Sequence, residues 1–150
     1  MKNVLILGAG LVSRPIVRYL LERTDRPIVV ASRTVSKAKA LIGSHPRGRA
    51  VAVNVEDDAR VEALVKDAEV VVSLVPYTHH VRVAKMAMRH KAHVVTTSYV
   101  SPAMKELYRR LGAIRPDAPW VWVWGPPGSG RREAAAAIPR PSPPGRGQTW

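Results

Sequence analysis

The stretch VLILGAGLVS, residues 4–13, runs from four large aliphatic side chains into a glycine-rich turn. An unbroken aliphatic run of this kind is typical of a strand that is buried on both faces. Gly8, Ala9 and Gly10 then permit a tight turn, and the apolar residues that follow recur at helical spacing. A buried strand, a turn and a helix in this order predict the first unit of a parallel α/β sheet.

The same alternation of strands and helices continues along the chain. Further strands are predicted at Ile28 to Ala31, Ala50 to Val55, Val70 to Val75 and Val94 to Thr97. Between the strands, apolar residues share one helical face at Val12, Ile16, Val17, Leu20 and Leu21, at Val61, Leu64 and Val65, and at Val81, Ala84 and Met88. We therefore predict a Rossmann-type, doubly wound parallel sheet.

A last helix of this domain is expected to begin after Ser101. Ser101 suits the N-cap position, Pro102 suits the first helical position, and Gly112 suits the C-terminal end. Beyond Gly112 the composition changes: most of the prolines, half of the glycines and every tryptophan lie in residues 113–150. We expect a domain at residues 1–112, followed by an irregular, largely disordered Pro/Gly/Arg-rich tail in which WVWVW, residues 120–124, could form one edge strand.

Composition and charge limit the classes of function. No apolar run approaches the roughly 20 residues that cross a bilayer, so we expect no membrane partner. The absence of cysteine from the sequence rules out disulfides and cysteine nucleophiles and favours a cytoplasmic location. The formal net charge of +13 would attract polyanions, but its lysines and arginines are dispersed over predicted helix faces, so we do not expect a nucleic-acid partner.

The glycine-rich turn suits a phosphate ligand. Gly8 permits the turn, and Gly10 lets the backbone approach a pyrophosphate held at the helix N-terminus. Ser13 occupies the third position of the G-x-G-x-x-G pattern, where a small residue can contact the strand. A glycine turn without a ligand is the simpler alternative.

The end of the second predicted strand indicates which dinucleotide binds. An NAD-binding domain usually carries an acidic residue there for the ribose 2′-hydroxyl, whereas this chain has Ser32, Arg33 and Thr34, followed by Lys37. Hydroxyl and cationic side chains suit the 2′-phosphate of NADP. Alternatively, Arg33 and Lys37 are ordinary solvated charges at the start of a helix.

Two adjacent histidines follow the fourth predicted strand in SLVPYTHH, residues 73–80. Adjacent residues of a helix point in different directions and no third ligand is near in sequence, so we expect no metal at His79 and His80. The simplest expectation is that these rings cap the helix or lie in solvent, and acid–base work by His79 is a lesser alternative.

Four blocks in this order, VLILGAGLVSRP, VVASRTVSKA, SLVPYTHH and HVVTTSYVSPAMKEL, resemble the N-terminal NADP-binding part of the saccharopine dehydrogenase (saccharopine reductase) family. The resemblance implies an NADP-dependent oxidoreductase that acts on the CH–NH group of saccharopine in lysine metabolism. The L-glutamate-forming type is the expected one.

The resemblance also implies roles for individual residues. Contacts to the dinucleotide phosphates fall to Ala9, Gly10, Leu11 and Val12, and contacts to the adenosine ribose phosphate fall to Ser32, Arg33 and Thr34. Asn54 and Val55 would flank the adenine, and Val75 would contact the nicotinamide half. Thr97 and Ser98 would close over the cofactor, and Ser98 and Tyr99 would touch the amino-acid substrate.

The resemblance stops after Gly112, where family members continue into a catalytic segment and a substrate domain. We therefore expect a truncated form, with catalytic residues that the sequence does not identify. A non-catalytic NADP-binding module or sensor is the alternative function, and a homodimer that completes the site remains open.

Overall fold

The computed structural model describes residues 1–98, 101–112 and 121–123, which contain six parallel strands in one sheet. The strands are β1 (Asn3–Leu7), β2 (Ile28–Ser32), β3 (Gly48–Ala52), β4 (Ala68–Ser73), β5 (His93–Thr96) and β6 (Val121–Val123). Their order across the sheet is β3-β2-β1-β4-β5-β6. This order reverses between β1 and β4, as it does in Rossmann folds, so the predicted doubly wound sheet is confirmed.

Helices connect the strands in the described part of the chain. They are α1 (Ser13–Arg23), α2 (Val35–Ile42), α3 (Asp58–Lys66), α4 (His80–Arg89) and α5 (Pro102–Gly112), and a single 3-10 turn at Tyr77–His79 leads into α4. None of the helices in this part of the chain is both long enough and apolar enough to cross a membrane.

The two faces of the sheet pack against different helices. One face buries Ile6 and Val30 together with Val17 of α1 and Ala38 of α2. Alternate residues of the same strands, such as Leu5, point to the other face and pack with side chains of α3, α4 and α5, among them Val61, Val83 and Met104. The central strands are thus buried on both sides, which explains their unbroken aliphatic sequences.

Local signals fix the ends of several helices. The Asp57 carboxylate accepts a hydrogen bond from the Arg60 backbone N–H at 3.1 Å and caps α3. The Ser101 hydroxyl accepts one from the Met104 N–H at 3.2 Å and caps α5, as the sequence predicts. Gly43, with φ of 61°, ends α2 in a conformation that glycine adopts without strain.

The third strand begins two residues before its predicted start at Ala50 and ends three residues before its predicted end at Val55. It spans Gly48–Ala52 because it pairs with all of β2, from Ile28 to Ser32. Asn54 then turns the chain, as its backbone carbonyl accepts a hydrogen bond from the Asp57 N–H at 3.0 Å. The prediction of a strand over Ala50 to Val55 was wrong because this outer strand is only half-buried and its apolar pattern is weak.

The start of the first helix differs from the prediction, whereas the edge strand agrees with it. Val12 was placed on the buried face of the first helix, but it precedes α1 and is 63% exposed, while Ser13 takes the buried position. The edge strand expected within residues 120–124 is confirmed, since β6 pairs with β5 at the edge of the sheet. Apart from β6, the expected tail at residues 113–150 lies outside the described residues.

Candidate functional site

A cleft of about 310 Å³ opens at the carboxyl ends of the central strands, where the strand order reverses. Its walls come from the ends of β1, β2 and β4 and from the loop after β3. They consist of Leu7, Gly8, Ala31, Ser32, Arg33, Val53, Asn54, Val55, Glu56, Leu74, Val75, Pro76 and His79. In open α/β sheets, ligands bind at this place. The cleft brings together six of the predicted site residues: Gly8, Ser32, Arg33, Asn54, Val55 and Val75.

Gly8 makes the tight turn that leaves β1. Its φ is 111°, and a Cβ atom at this position would lie 3.0 Å from the backbone oxygen of Leu74. Its N–H donates a hydrogen bond to the Ala31 carbonyl at 2.8 Å, which ties the turn to β2. Only glycine fits both the backbone conformation and this close approach to Leu74, the residue after β4.

The backbone beyond Gly8 faces open space. A Cβ atom at Gly10 would meet no atom within 4 Å. Leu11 is 99% exposed, and α1 begins at Ser13 without a side-chain cap. Of the first three residues of α1, Ser13 donates its N–H to the Gly10 carbonyl and Pro15 has no N–H, so the Arg14 N–H is left for a ligand or for water. An uncapped helix N-terminus beside an open glycine fits an anion such as a pyrophosphate.

Ser13 explains how the glycine pattern tolerates a serine at its third position. The side chain is fully buried, and its hydroxyl donates a hydrogen bond to the Gly8 carbonyl at 3.1 Å. The Ser13 N–H also donates to the Gly10 carbonyl at 3.1 Å. A small side chain fits between helix and strand, and here it also braces the turn. Ala9, between the two glycines, packs half-buried against the core under α1.

The predicted 2′-phosphate residues follow β2. The Ser32 hydroxyl accepts a hydrogen bond from the Thr34 N–H at 3.3 Å. Arg33 lines the cleft with an exposed side chain, and Thr34 and Lys37 are exposed at the start of α2. No side-chain bond to Arg33 or Lys37 is formed within the described residues. These cations are thus available to a ligand, although Glu56 faces the same cleft from the loop after β3.

Arg82 of α4 holds the loop that carries Asn54 and Val55. Its guanidinium donates to the Val55 carbonyl and forms an ion pair with Asp58 at 3.1 Å. The Asn54 side-chain oxygen accepts a hydrogen bond from the Glu56 N–H at 3.2 Å. These three contacts stabilise the outer wall of the cleft in one conformation.

His80 is buried, contrary to the expectation that it caps the helix or lies in solvent. Its Nδ1 is 2.9 Å from the Ser73 hydroxyl, and its Nε2 is 2.8 Å from the Ser98 hydroxyl. Burial lowers the pKa of His80, and the nearby His79 lowers that pKa further. The ring is therefore neutral near pH 7. His79 lies half-buried at the cleft, with Nδ1 3.4 Å from the Arg82 guanidinium.

The remaining predicted residues follow β5. Thr97 is exposed and Ser98 is half-buried, and neither lines the cleft itself. Tyr99, the predicted substrate contact, lies outside the described residues. Across the described ranges, no group of three or more His, Asp or Glu side chains could hold a metal ion.

The sequence analysis did not identify Ser73, Glu56 or Arg82 as residues of this region. It named His80 but did not predict its hydrogen bonds to Ser73 and Ser98. Ser73 ends a strand seven residues before His80, and that spacing is the one local signal for their contact. Arg82 and Glu56 carry no such signal because their positions depend on how α4 and the loop after β3 pack together.

The sheet order, the glycine turn and the cleft define a dinucleotide-binding Rossmann domain. Residues 4–118 match the family model described as the saccharopine dehydrogenase NADP binding domain. The chain belongs to this family, and the predicted resemblance is confirmed.

Related proteins agree with this assignment. The chain is 46% identical over 107 residues to saccharopine dehydrogenase [NADP(+), L-glutamate-forming] of Schizosaccharomyces pombe, covering 71% of this chain and 24% of that protein. It is 34% identical over 110 residues to mitochondrial alpha-aminoadipic semialdehyde synthase of Mus musculus, covering 73% of this chain and 12% of that protein.

A solved structure shows the same fold. The apo saccharopine dehydrogenase (L-Glu forming) of Saccharomyces cerevisiae superposes with a TM-score of 0.68 at 38% identity, covering 83% of this chain and 27% of that one. The chain thus spans about a quarter of the length of these yeast proteins.

Proposed function

We propose that this chain binds NADP(H) as the cofactor-binding part of a saccharopine dehydrogenase type of oxidoreductase, acting on the CH–NH group of saccharopine in lysine metabolism. Family membership supports the NADP(H) ligand. The observation that carries the proposal is the cleft at the strand reversal, which is lined by both Gly8 of the glycine turn and Arg33.

The residues present fit the cofactor. The open backbone at Gly10 and the uncapped start of α1 would hold the pyrophosphate. Ser32, Arg33, Thr34 and Lys37 would hold the 2′-phosphate, while Asn54 and Val55 would flank the adenine. Val75 and the Thr97–Ser98 loop would contact the nicotinamide half, which supplies hydride chemistry when it is bound.

Charge at the end of β2 favours NADP over NAD. β2 ends at Ser32 and is followed by a cation, so the 2′-phosphate would gain charge-assisted hydrogen bonds to the guanidinium. Glu56, which lines the same cleft from the loop after β3, opposes this attraction. We infer that Arg33 outweighs Glu56 because a guanidinium can contact a phosphate through two parallel N–H groups, whereas Glu56 can turn toward solvent.

A separate question is whether this chain catalyses the reaction on its own. The chain spans about a quarter of its yeast relatives, so an NADP(H)-binding module without turnover on its own is the second candidate. We propose that substrate contacts at Ser98 and Tyr99 need further protein, or a second copy of the chain, to hold the carboxylates of saccharopine. A cytoplasmic location remains part of the proposal and rests on the cysteine-free sequence.

Two measurements on the 150-residue protein test the proposal. Fluorescence titration with NADPH should show saturable binding, and a Gly10→Trp variant should lose it because a large side chain would fill the pyrophosphate position. Absorbance at the NADPH band with excess saccharopine and NADP should show no turnover near the roughly 1–10³ s⁻¹ of typical enzymes. Failure of NADPH to bind would overturn the proposal, and turnover in that range would refute the second candidate.

A further inference from the structure

Two hydrogen bonds, one buried and one partly buried, lie beside the cleft and join the ends of two strands. Ser73 is the last residue of β4 and pairs in the sheet with Thr96, two residues before Ser98. His80, the first residue of α4, lies between the two serines and is 3% exposed. The imidazole bridges them with distances of 2.9 Å and 2.8 Å, both within the range of good hydrogen bonds.

The direction of these hydrogen bonds follows from the surroundings of Ser73. This serine is fully buried, and within the described residues its hydroxyl has one partner, His80 Nδ1. If Nδ1 carried the proton, the Ser73 hydroxyl proton would be buried without an acceptor. An unsatisfied buried donor costs more than an unused lone pair. The Ser73 O–H therefore donates to Nδ1.

This direction fixes the rest of the chain. A neutral imidazole that accepts at Nδ1 carries its proton at Nε2. His80 Nε2–H then donates to the Ser98 oxygen, and the proton of the Ser98 hydroxyl is left for a third group. Hydrogen bonds arranged head to tail polarise one another, which strengthens the final donor.

We propose that Ser73 and His80 hold the Ser98 hydroxyl as a directed hydrogen-bond donor to the carboxamide oxygen of a nicotinamide. The proposal rests on the proposed NADP(H) function. In a Rossmann fold the dinucleotide crosses the strand reversal, so if its adenosine half lies over β2 its other half lies over β4 and β5. His80 is thus a positioning residue that acts through Ser98.

The tautomer can be tested without any ligand. Imidazole ¹⁵N spectra of the 150-residue protein should show His80 protonated at Nε2 and unprotonated at Nδ1. His80→Gln identifies the resonance by removing it, and His45→Gln, in the loop before β3, should remove a different one. Protonation of His80 at Nδ1 near pH 7 would overturn the proposal, whether or not NADPH binds.

A matched pair of variants tests the effect on the ligand. Gln keeps an N–H donor for Ser98, whereas Met has a similar length and no donor. His80→Met should weaken NADPH binding about fivefold to tenfold, the size expected for one hydrogen bond, and His80→Gln should stay within about twofold of the unchanged protein. Adenosine 2′,5′-bisphosphate, which lacks the nicotinamide, should bind all three proteins equally.

The outcomes of these titrations distinguish the positioning role of His80 from the binding of NADP(H) itself. Equal loss of affinity for both ligands in His80→Met would show a merely structural role and overturn the proposal. Unchanged NADPH affinity in His80→Met would also overturn it while leaving the NADP(H) function intact. If His80→Met does not fold, Ser98→Ala should give the same selective loss, and equal NADPH affinity there would contradict the proposal.

Discussion

At the scale of single residues, the two glycines of the turn have different physical roles. Gly8→Ala should lower the free energy of unfolding by about 1–3 kcal/mol, because its φ is 111° and its Cβ would press on the Leu74 carbonyl. Gly10→Ala should leave stability unchanged or slightly higher and should weaken NADPH binding, because its Cβ would point into the space for the pyrophosphate. Urea denaturation and NADPH titration of both variants measure the contrast. Equal stability losses would contradict these roles.

His80 gives the fold a pH dependence of predictable sign. Burial lowers the folded-state pKa below the unfolded value of about 6.5. Below that pH the unfolded chain binds a proton that the native ring resists, so stability is present above it and is lost as pH falls. The free energy of unfolding should fall as the pH drops below about 6.5, and it should fall less in His80→Gln. Identical pH profiles for the two proteins would refute this account.

At the scale of elements, Arg82 links α4 to the loop that walls the cleft. Arg82→Ala should lower the free energy of unfolding by about 1 kcal/mol, weaken NADPH binding and speed amide exchange at residues 54–57. Arg89→Ala is the matched control, because Arg89 lies on the same helix and pairs with Glu62 of α3 away from the cleft. It should leave NADPH affinity unchanged. Weaker binding in the control, or unchanged binding in Arg82→Ala, would contradict the role of this loop.

Elements differ in how well the sequence predicts them. β1 and the approximate positions of the central strands could be predicted because burial on both faces leaves unbroken aliphatic runs, although β4, Ala68–Ser73, begins two residues before the predicted Val70. The start of α5 could be predicted because its Ser101 cap is local. β3 was misplaced, since a half-buried outer strand takes its limits from pairing with β2. The contact of His80 with Ser98 could not be predicted, because it joins residues 18 apart through the packing of α4 against the sheet.

At the scale of the whole molecule, the described residues form one six-stranded sheet with β6 at its edge. β6 pairs with β5 in parallel register, with Val94 opposite Val121, so the sheet extends beyond the predicted domain limit at Gly112. The chain spans about a quarter of its yeast relatives. Binding of NADP(H), the proposed function of this part of the enzyme, can be tested without a substrate.

The most direct test is calorimetric titration of the 150-residue protein with NADPH and with NADH. We predict tighter binding of NADPH by at least about tenfold, the effect of one charge-assisted contact to the 2′-phosphate. Arg33→Ala should remove most of that preference, whereas Lys39→Ala, which removes another exposed cation of α2, should preserve it. Equal affinities for the two cofactors, or a preference for NADH, would contradict the assignment of an NADP site.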